Sequence, residues 1–341
     1  MLRHSFLRRI LLTLLMMNDK LIIGLAGDVM IGRSVDPVIS TEGYSYVWGN
    51  MLPLLRGTDL NIINLETTLT SSEKKVSKVF NFKAAPDKVK SLTEAHITFA
   101  NLANNHILDY SEEGLKETLQ VLHNADIQYT GAGMNQQEAE RPCFFAKNNL
   151  RLGLLGYTDN EPGWSAGISK SGINYINVSA KKYRQKVLEA IVRVRTETDI
   201  VVVSMHWGPN MRQEPSDEFI AFAHDMVEMG ADIIHGHSAH IFQGVEVYHN
   251  KLVLYDTGDF VDDYVADPIL KNNLSFLFRI EMTGKGIEKL TLTPALIGNY
   301  QVNQATGKNY EWSIKRMQQL SVRFGTTVSD TGEVMIKSGR L

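Results

Sequence analysis

The chain has 341 residues and a formal net charge of −3, and 43% of its residues are hydrophobic while 21% are charged. This composition is typical of a soluble globular protein, and the small negative charge gives no basic field that would attract nucleic acid or an anionic membrane. The one cysteine, Cys143, excludes an intrachain disulfide and a thiolate cage, so a metal site has to use histidine, carboxylate and amide groups.

The amino terminus resembles a short signal-peptide core. Three arginines precede the apolar run 10–17, which is too short to span a bilayer, and no small-residue cleavage site follows it. We interpret residues 1–19 as a leader or a mis-assigned start, disordered or helical, with Met16 or Met17 as the candidate true start. We expect a cytoplasmic protein without stable membrane insertion. The alternative is an exported or peripheral protein, if residues 1–17 act as a leader.

Beyond the amino terminus, short β-rich runs alternate with helical patterns, which indicates an α/β fold. The predicted strands cover residues 21–26, 59–65, 96–102, 127–129, 152–157, 199–205, 231–234 and 252–255, with a hairpin over 274–281 and 287–293. One predicted helix begins at Ser111, and three more cover 180–196, 216–229 and about 310–324. The chain has no linker that would divide it, so we expect one domain over 20–300, with 301–341 as a C-terminal helix and tail packed on it.

Polar side chains follow the carboxyl ends of five predicted strands. They are Asp28, Glu66, Asn105 with His106, His206, and His237 with His240. Open α/β sheets bind ligands at this edge, so we expect these groups to converge on one rim. The last pair lies in the run 235–240, which holds three histidines and is predicted to form a turn after the strand 231–234.

Carboxylate, amide and imidazole groups together favour Mn, Zn or Fe, as one or two divalent ions. If Glu66 were shared between two cations, the site would form a two-metal clamp that lowers the pKa of bound water. Each residue also has a structural alternative. Asp28 can cap a turn, Glu66 can be a solvated loop acid, and His206 can be a satisfied core histidine.

These residues stand in stretches that resemble the CapA family of capsule and poly-γ-glutamate synthesis proteins, which is related to the calcineurin-like metallophosphoesterases. The matching stretches occur in family order, at residues 27–33, 64–66, 82–84, 102–109, 131–133, 204–208, 236–240 and 255–260. The resemblance implies a four-layer α/β/β/α sandwich of the metallophosphoesterase type, in which helices flank two packed sheets and the site lies at the strand ends.

The resemblance also implies roles for individual residues. It implies six metal ligands: Asp28 and His240 at a first ion, Glu66 as the bridge, and Asn105, His206 and His237 at a second. His106 would be the catalytic acid. Arg33, Lys83 and Asn104 are candidates for binding an anionic substrate, although Arg33 and Lys83 can equally be surface charges.

Two departures from the phosphoesterase pattern weaken the expected first metal position. Met30 occupies a position where phosphoesterases usually carry histidine, and Asn64-Leu65-Glu66 replaces the usual Gly-Asp block. The tail after Gly258 is more acidic than in the family pattern. Its residues Asp259, Asp262 and Asp263 are either additional site acids or a solvated edge.

The resemblance therefore implies a metal-dependent hydrolase or transferase linked to cell-surface polymer metabolism. It would act on a phosphoester or amide bond through metal-activated water, on an anionic small-molecule or polymer substrate. The alternative is a non-catalytic accessory protein that binds an anionic polymer through the same metal site. The sequence indicates no oligomeric state.

Overall fold

The computed structural model describes residues 20–336. The predicted leader at 1–19 and the last residues of the predicted tail, 337–341, lie outside this range. The strands are β1 (Leu21–Val29), β2 (Leu60–Leu65), β3 (Thr68–Leu69), β4 (Lys83–Ala84), β5 (Ile97–Asn101), β6 (Gln128–Thr130), β7 (Ala132–Gly133), β8 (Cys143–Lys147), β9 (Leu150–Thr158), β10 (Gly172–Ile173), β11 (Ile200–His206), β12 (Ile233–His237), β13 (Val245–Tyr248), β14 (Lys251–Leu254), β15 (Asp259–Val261), β16 (Leu274–Thr283), β17 (Gly286–Gly298), β18 (Gln301–Gln304) and β19 (Glu333–Met335).

Eight α-helices are present in residues 20–336. They are α1 (Val35–Glu42), α2 (Leu52–Arg56), α3 (Val89–Glu94), α4 (Ser111–Asn124), α5 (Gln136–Ala139), α6 (Lys181–Arg195), α7 (Asp217–Glu228) and α8 (Gly307–Val322). Within this range no helix combines the length and the apolar composition needed to cross a membrane.

Most of the strands form two large sheets. The first has nine strands in the order β18-β17-β16-β1-β2-β5-β6, with β15 beside β1 and β19 beside β17. The second has six strands in the order β13-β14-β12-β11-β9-β8. The strands that carry the predicted site residues are parallel to one another within each sheet: β1, β2 and β5 in the first sheet, and β11 and β12 in the second. Their carboxyl ends therefore meet at one edge of each sheet.

The two sheets pack face to face around a shared apolar core. Ile23 and Leu25 of β1 contribute to this core from the first sheet, and Val202 and Ile233 contribute from the second. Side chains alternate along a strand, so the neighbours of Val202 in β11 point to the opposite face and pack under α6 and α7. Helices α1 to α4 cover the outer face of the first sheet. The predicted four-layer α/β/β/α sandwich is therefore confirmed.

Helix α7 shows how local sequence fixes an element of this sandwich. The hydroxyl of Ser216 accepts a hydrogen bond from the backbone N–H of Phe219 and caps the first turn. The apolar side chains of this helix, among them Phe222 and Met226, lie on one buried face, and Gly230, with φ of 115°, follows its last turn.

The histidine run differs from its prediction. Strand β12 extends through His237, so His235 and His237 lie in the strand and the turn begins after them. Because β12 pairs with β11 on one side and β14 on the other, its ladder continues beyond the last apolar residue of the run. A local pattern of apolar residues does not reveal this pairing.

The C-terminal residues are part of the first sheet as well as packing against it. Residues 301–336 supply β18 and β19, which both pair with β17, and helix α8 packs against β13 and β17. Strand β16 lies directly beside β1, with Leu21 opposite Met282 and Leu25 opposite Phe278.

Candidate metal centre

Asp28 lies near the end of β1, where strands pair with it on both sides. Parallel pairing with β15 sets Asp259 opposite it, and pairing with β2 sets Asn64 opposite it. Asp28 is 1% exposed. Its Oδ1 accepts a hydrogen bond from Asn64 Nδ2 at 2.7 Å, and its Oδ2 accepts one from the Ser238 backbone N–H at 3.2 Å. The carboxylate is thus held in one orientation, with lone pairs left over for another ligand.

Two imidazoles stand beside this carboxylate. His206 ends β11 and His237 ends β12, directly opposite each other in register, with their Nδ1 atoms 2.9 Å apart. Asp28 Oδ1 lies 3.8 Å from Nδ1 of His206 and 3.6 Å from Nδ1 of His237. Burial holds the pKa of both histidines well below its ordinary value, so both rings are neutral and their lone pairs can bind a cation. Asn105 Oδ1 lies 3.0 Å from His206 Nε2.

A second cluster of possible ligands shares Asp28. His240 Nδ1 lies 2.8 Å from Asp259 Oδ1 and 3.5 Å from Asp28 Oδ2. The negative charges of Asp259 and its neighbours hold the pKa of His240 well above its ordinary value despite burial. Asp28 with His206 and His237 forms one three-residue group, and Asp28 with His240 and Asp259 forms another. In each group the candidate ligand atoms lie within 4.8 Å of one another.

Glu66 is the least satisfied side chain in the centre. It is fully buried, and neither carboxylate oxygen has a hydrogen-bond partner in residues 20–336. Its Oε1 lies 3.8 Å from His206 Nε2. Burial, reinforced by the nearby charge of Asp28, raises the pKa of Glu66 well above its ordinary value, and burial also raises the pKa of Asp28 to about 6. Buried carboxylates without partners are costly, and a divalent cation is the kind of partner that removes that cost. The residues present therefore fit a divalent metal.

A hydrogen-bonded network of asparagine side chains supports the metal centre. Asn64 Oδ1 accepts hydrogen bonds from Asn101 Nδ2 at 2.9 Å and Asn104 Nδ2 at 3.1 Å. Asn104 Oδ1 in turn accepts from the backbone N–H groups of His106 and Ile107. The side chain of Asn104, a predicted substrate-binding residue, thus holds the loop that carries Asn105 and His106.

His106 is oriented by a carboxylate three residues along the chain. Its Nδ1 lies 2.6 Å from Asp109 Oδ2, and Asp109 also accepts hydrogen bonds from the Phe82 backbone N–H and from Lys78 Nζ. The Phe82 ring stacks on the imidazole with centroids 3.6 Å apart. Asp109 therefore fixes the tautomer and the orientation of the ring, which leaves Nε2 as the nitrogen able to exchange a proton.

The structure places the two predicted cationic contacts differently. Arg33 contacts Asp263 through Nε at 3.3 Å, and its guanidinium lies 5.5 Å from the centroid of Phe82, the ring that stacks on His106. Lys83 pairs with Glu73, and no contact joins it to the metal-ligand residues within the described range. Arg33 thus lies next to the ring that stacks on His106, whereas the amine of Lys83 is paired with Glu73.

Sequence reasoning left the roles of Asp259 and Asp109 open. For Asp259 the sequence allows either a site acid or a solvated edge, and the residue lies in the second cluster with zero exposure. Met30 is also fully buried and contributes to the apolar core beneath the sheet. Asp109 lies inside the matching stretch 102–109. Its spacing of three residues from His106 is the signal that could have identified it as the partner of that histidine.

Comparison with known proteins agrees with the predicted family. The family model for bacterial capsule synthesis protein PGA_cap matches residues 22–264. A probable polyglutamine synthesis accessory protein of Mycobacterium tuberculosis is 29% identical, over 91% of this chain and 93% of that protein. The PGA biosynthesis protein CapA of Bacillus subtilis is 31% identical, over 87% of this chain and 81% of that protein. A solved hypothetical protein from Thermus thermophilus is 14% identical with a TM-score of 0.47, over 84% of this chain and 100% of that one. The resemblance to CapA is thereby confirmed, and the chain belongs to the family of bacterial capsule synthesis proteins.

Proposed function

We propose that this protein is a metal-dependent hydrolase or transferase of capsule or polyglutamate metabolism, acting on a phosphoester or amide bond. The observation that carries the proposal is the fully buried Glu66 carboxylate, which has no hydrogen-bond partner in residues 20–336 and lies beside Asp28 and His206. A cluster of this kind is stable when a cation neutralises it.

The two three-residue groups suggest which side chains would hold metal. Asp28, His206 and His237 would hold one ion, with Glu66 and the Asn105 amide oxygen as further ligands. Asp28, Asp259 and His240 would hold another once the cation displaces the proton of His240. The mixture of carboxylate and imidazole favours Mn, Zn or Fe. When bound, such ions lower the pKa of water and stabilise negative charge on a substrate oxygen.

His106 is our candidate for proton transfer. Asp109 holds the Nδ1 side of the ring and stabilises the imidazolium form, from which Nε2 would donate a proton to a substrate leaving group. Stacking by Phe82 covers one face of the imidazole and keeps water from that side. Arg33, next to Phe82, is placed to attract an anionic substrate group toward the same ring.

The second candidate function is an accessory role in polymer synthesis, which the name of the Mycobacterium tuberculosis relative favours. In that case the metal centre would bind polymer carboxylates without turnover. The two functions share the metal and differ in chemistry, so they can be tested together.

The test combines elemental analysis with a substrate panel. Wild type, His206→Ala and the control His123→Ala are loaded with Mn²⁺ or Zn²⁺ and assayed on p-nitrophenyl phosphate, bis-p-nitrophenyl phosphate and a γ-glutamyl anilide. His123 is an exposed histidine of α4, so its loss tests for a nonspecific effect. We expect bound metal and turnover in wild type and the control, and loss of turnover in His206→Ala.

Metal binding with polymer binding and no turnover on any substrate would support the accessory role. Wild-type protein that binds no divalent metal would refute both.

A further inference from the structure

A cavity of about 260 Å³ is lined in part by residues that follow candidate metal ligands in the chain, and it takes no part in the site described above. Its lining includes Ile241 and Phe242, which directly follow the candidate ligand His240. Consecutive Cα atoms are about 3.8 Å apart, so the wall of the cavity begins one residue from the centre. The chain segment that follows Asp259 also reaches it, through Leu270. Two segments that carry candidate metal ligands therefore continue into the cavity wall.

The floor of the cavity is apolar and aromatic. Phe242 and Trp312 meet edge to face with ring centroids 6.0 Å apart, and Leu270 adds an aliphatic wall. At the rim, Ile269 is 81% exposed. This arrangement can hold the methylene groups of a ligand.

Two cationic side chains lie next to the apolar floor of the cavity. Arg316 of α8 lines the cavity and donates a hydrogen bond to Gln213 Oε1 at 2.7 Å, and Lys271 Nζ lies 4.6 Å from the Trp312 ring centroid. Neither cation forms a salt bridge within residues 20–336. The nearby acid Asp267 accepts hydrogen bonds from two backbone N–H groups of its own turn. Those hydrogen bonds leave Asp267 charged, so two cations face one acid, and the surroundings of the cavity are net positive in a chain whose net charge is −3.

The nearby Glu214 does not neutralise the cavity, because it pairs with Arg323. The guanidinium of Arg316 is partly exposed and, among residues 20–336, hydrogen-bonds only the neutral amide of Gln213, which leaves other donors of the fork for a planar anion. Carboxylate is the planar anion that a guanidinium fork matches best.

We propose that this cavity is a subsite for a carboxylate-bearing segment of an anionic polymer, with the methylenes on Phe242 and Trp312 and the carboxylate on Arg316. The inference rests on the proposed function, because the polymer would extend from this subsite toward the metal centre. A volume of about 260 Å³ is at the small end for ligand pockets, which suits one short segment of a longer chain.

The aromatic geometry argues against a neutral sugar as the occupant. Sugars bind proteins by stacking on an open aromatic face, whereas Lys271 covers a face of Trp312 and Phe242 meets that ring edge to face. A carboxylate instead gains from the cation at that position.

The test measures binding directly, by calorimetry, with the full chain and an oligo-γ-glutamate of about ten residues. Arg316→Ala is compared with Arg316→Lys and with Lys315→Ala, an exposed neighbour on the same helix that loses the same charge outside the cavity. We expect Arg316→Ala to raise Kd about tenfold or more, Arg316→Lys to recover part of the loss, and Lys315→Ala to change Kd less than about twofold.

The same titrations on His237→Ala separate this proposal from the proposed function. Binding that survives in His237→Ala and still depends on Arg316 supports the subsite, whether or not the substrate panel shows turnover. The subsite is overturned if wild type does not bind the oligomer, if Arg316→Ala binds like wild type, or if Lys315→Ala weakens binding equally. It is also overturned if a neutral oligosaccharide competes at equal affinity.

Discussion

The substitution Glu66→Gln is expected to change the stability of the protein in opposite directions with and without divalent metal. The glutamine side chain has nearly the same size and shape, so the main change is the loss of one buried charge. In residues 20–336 neither oxygen of Glu66 has a hydrogen-bond partner, so the substitution breaks no hydrogen bond within that range.

The size of the effect follows from burial. Because burial raises the pKa of Glu66 well above its ordinary value, the metal-free protein either keeps a buried charge, at about 3–5 kcal/mol, or takes up a proton, at about 3 kcal/mol at pH 7. An amide that lacks partners costs about 1–3 kcal/mol. In chelated protein we therefore expect Glu66→Gln to raise the free energy of unfolding by about 2 kcal/mol. An ion present at about one hundred times its Kd stabilises a protein by about 2.7 kcal/mol, and a variant that no longer binds it loses that contribution.

Thermal unfolding in EDTA and in saturating Mn²⁺ measures the change in stability that Glu66→Gln causes without and with metal. We expect the Tm of the variant to exceed that of wild type in EDTA and to rise less than that of wild type on addition of metal. The control is Glu73→Gln, which removes an exposed carboxylate of the same type. A variant that is less stable than wild type in EDTA, or a wild type whose Tm does not respond to metal, would refute the reasoning.

Three further predictions concern the residues around the centre. Asp259→Asn should lower the metal content per chain by up to one ion, measured by elemental analysis, because it removes a charged ligand atom from the second cluster. Asp109→Asn should lower kcat about 10–100-fold at unchanged metal content, because His106 loses the carboxylate that fixes its tautomer. Gly236→Ala should lower the unfolding free energy in urea by about 3 kcal/mol, since its Cβ would lie 2.0 Å from the Tyr255 carbonyl oxygen.

The first and the third of these have matched control variants, and the second has a result that would refute it. Asp262→Asn removes a carboxylate three residues from Asp259 that belongs to neither three-residue group, and equal metal loss there would count against the assignment. If Asp109→Asn turned over substrate at the wild-type rate, the assignment of proton transfer to His106 would be refuted. For the glycine, the control is Gly298→Ala at the end of β17, where an added Cβ meets no atom within 4 Å. If both glycine variants were equally stable, close approach of the Tyr255 backbone would not limit this position.

Much of the fold and of the centre could be predicted because the signal was local. The predicted strands over 199–205 and 252–255 correspond to β11 and β14, and the apolar face of α7 recurs every three to four residues. The six predicted ligands do lie in one buried region, since each is within four residues of the end of a strand whose parallel neighbours set its position. Their role as metal ligands stays a prediction.

Other features depend on pairing between distant parts of the chain. Asp259 joins Asp28 only because β15 pairs with β1, and nothing near Asp259 in sequence indicates that partner. The end of β12 is likewise set by its two neighbouring strands. Helix α1 was not predicted, because its eight residues give too few turns for a periodic pattern.

The position of β16 next to β1 has a consequence for any shortened form of this protein. The segment that matches the family model stops at residue 264, ahead of β16. A fragment with that boundary would bare the backbone N–H and C=O groups of Leu21–Leu25, on a strand whose side chains are almost all apolar. An exposed strand edge of this kind pairs with strands of other molecules, and the protein aggregates. The smallest well-behaved fragment must therefore retain the hairpin that begins at Leu274.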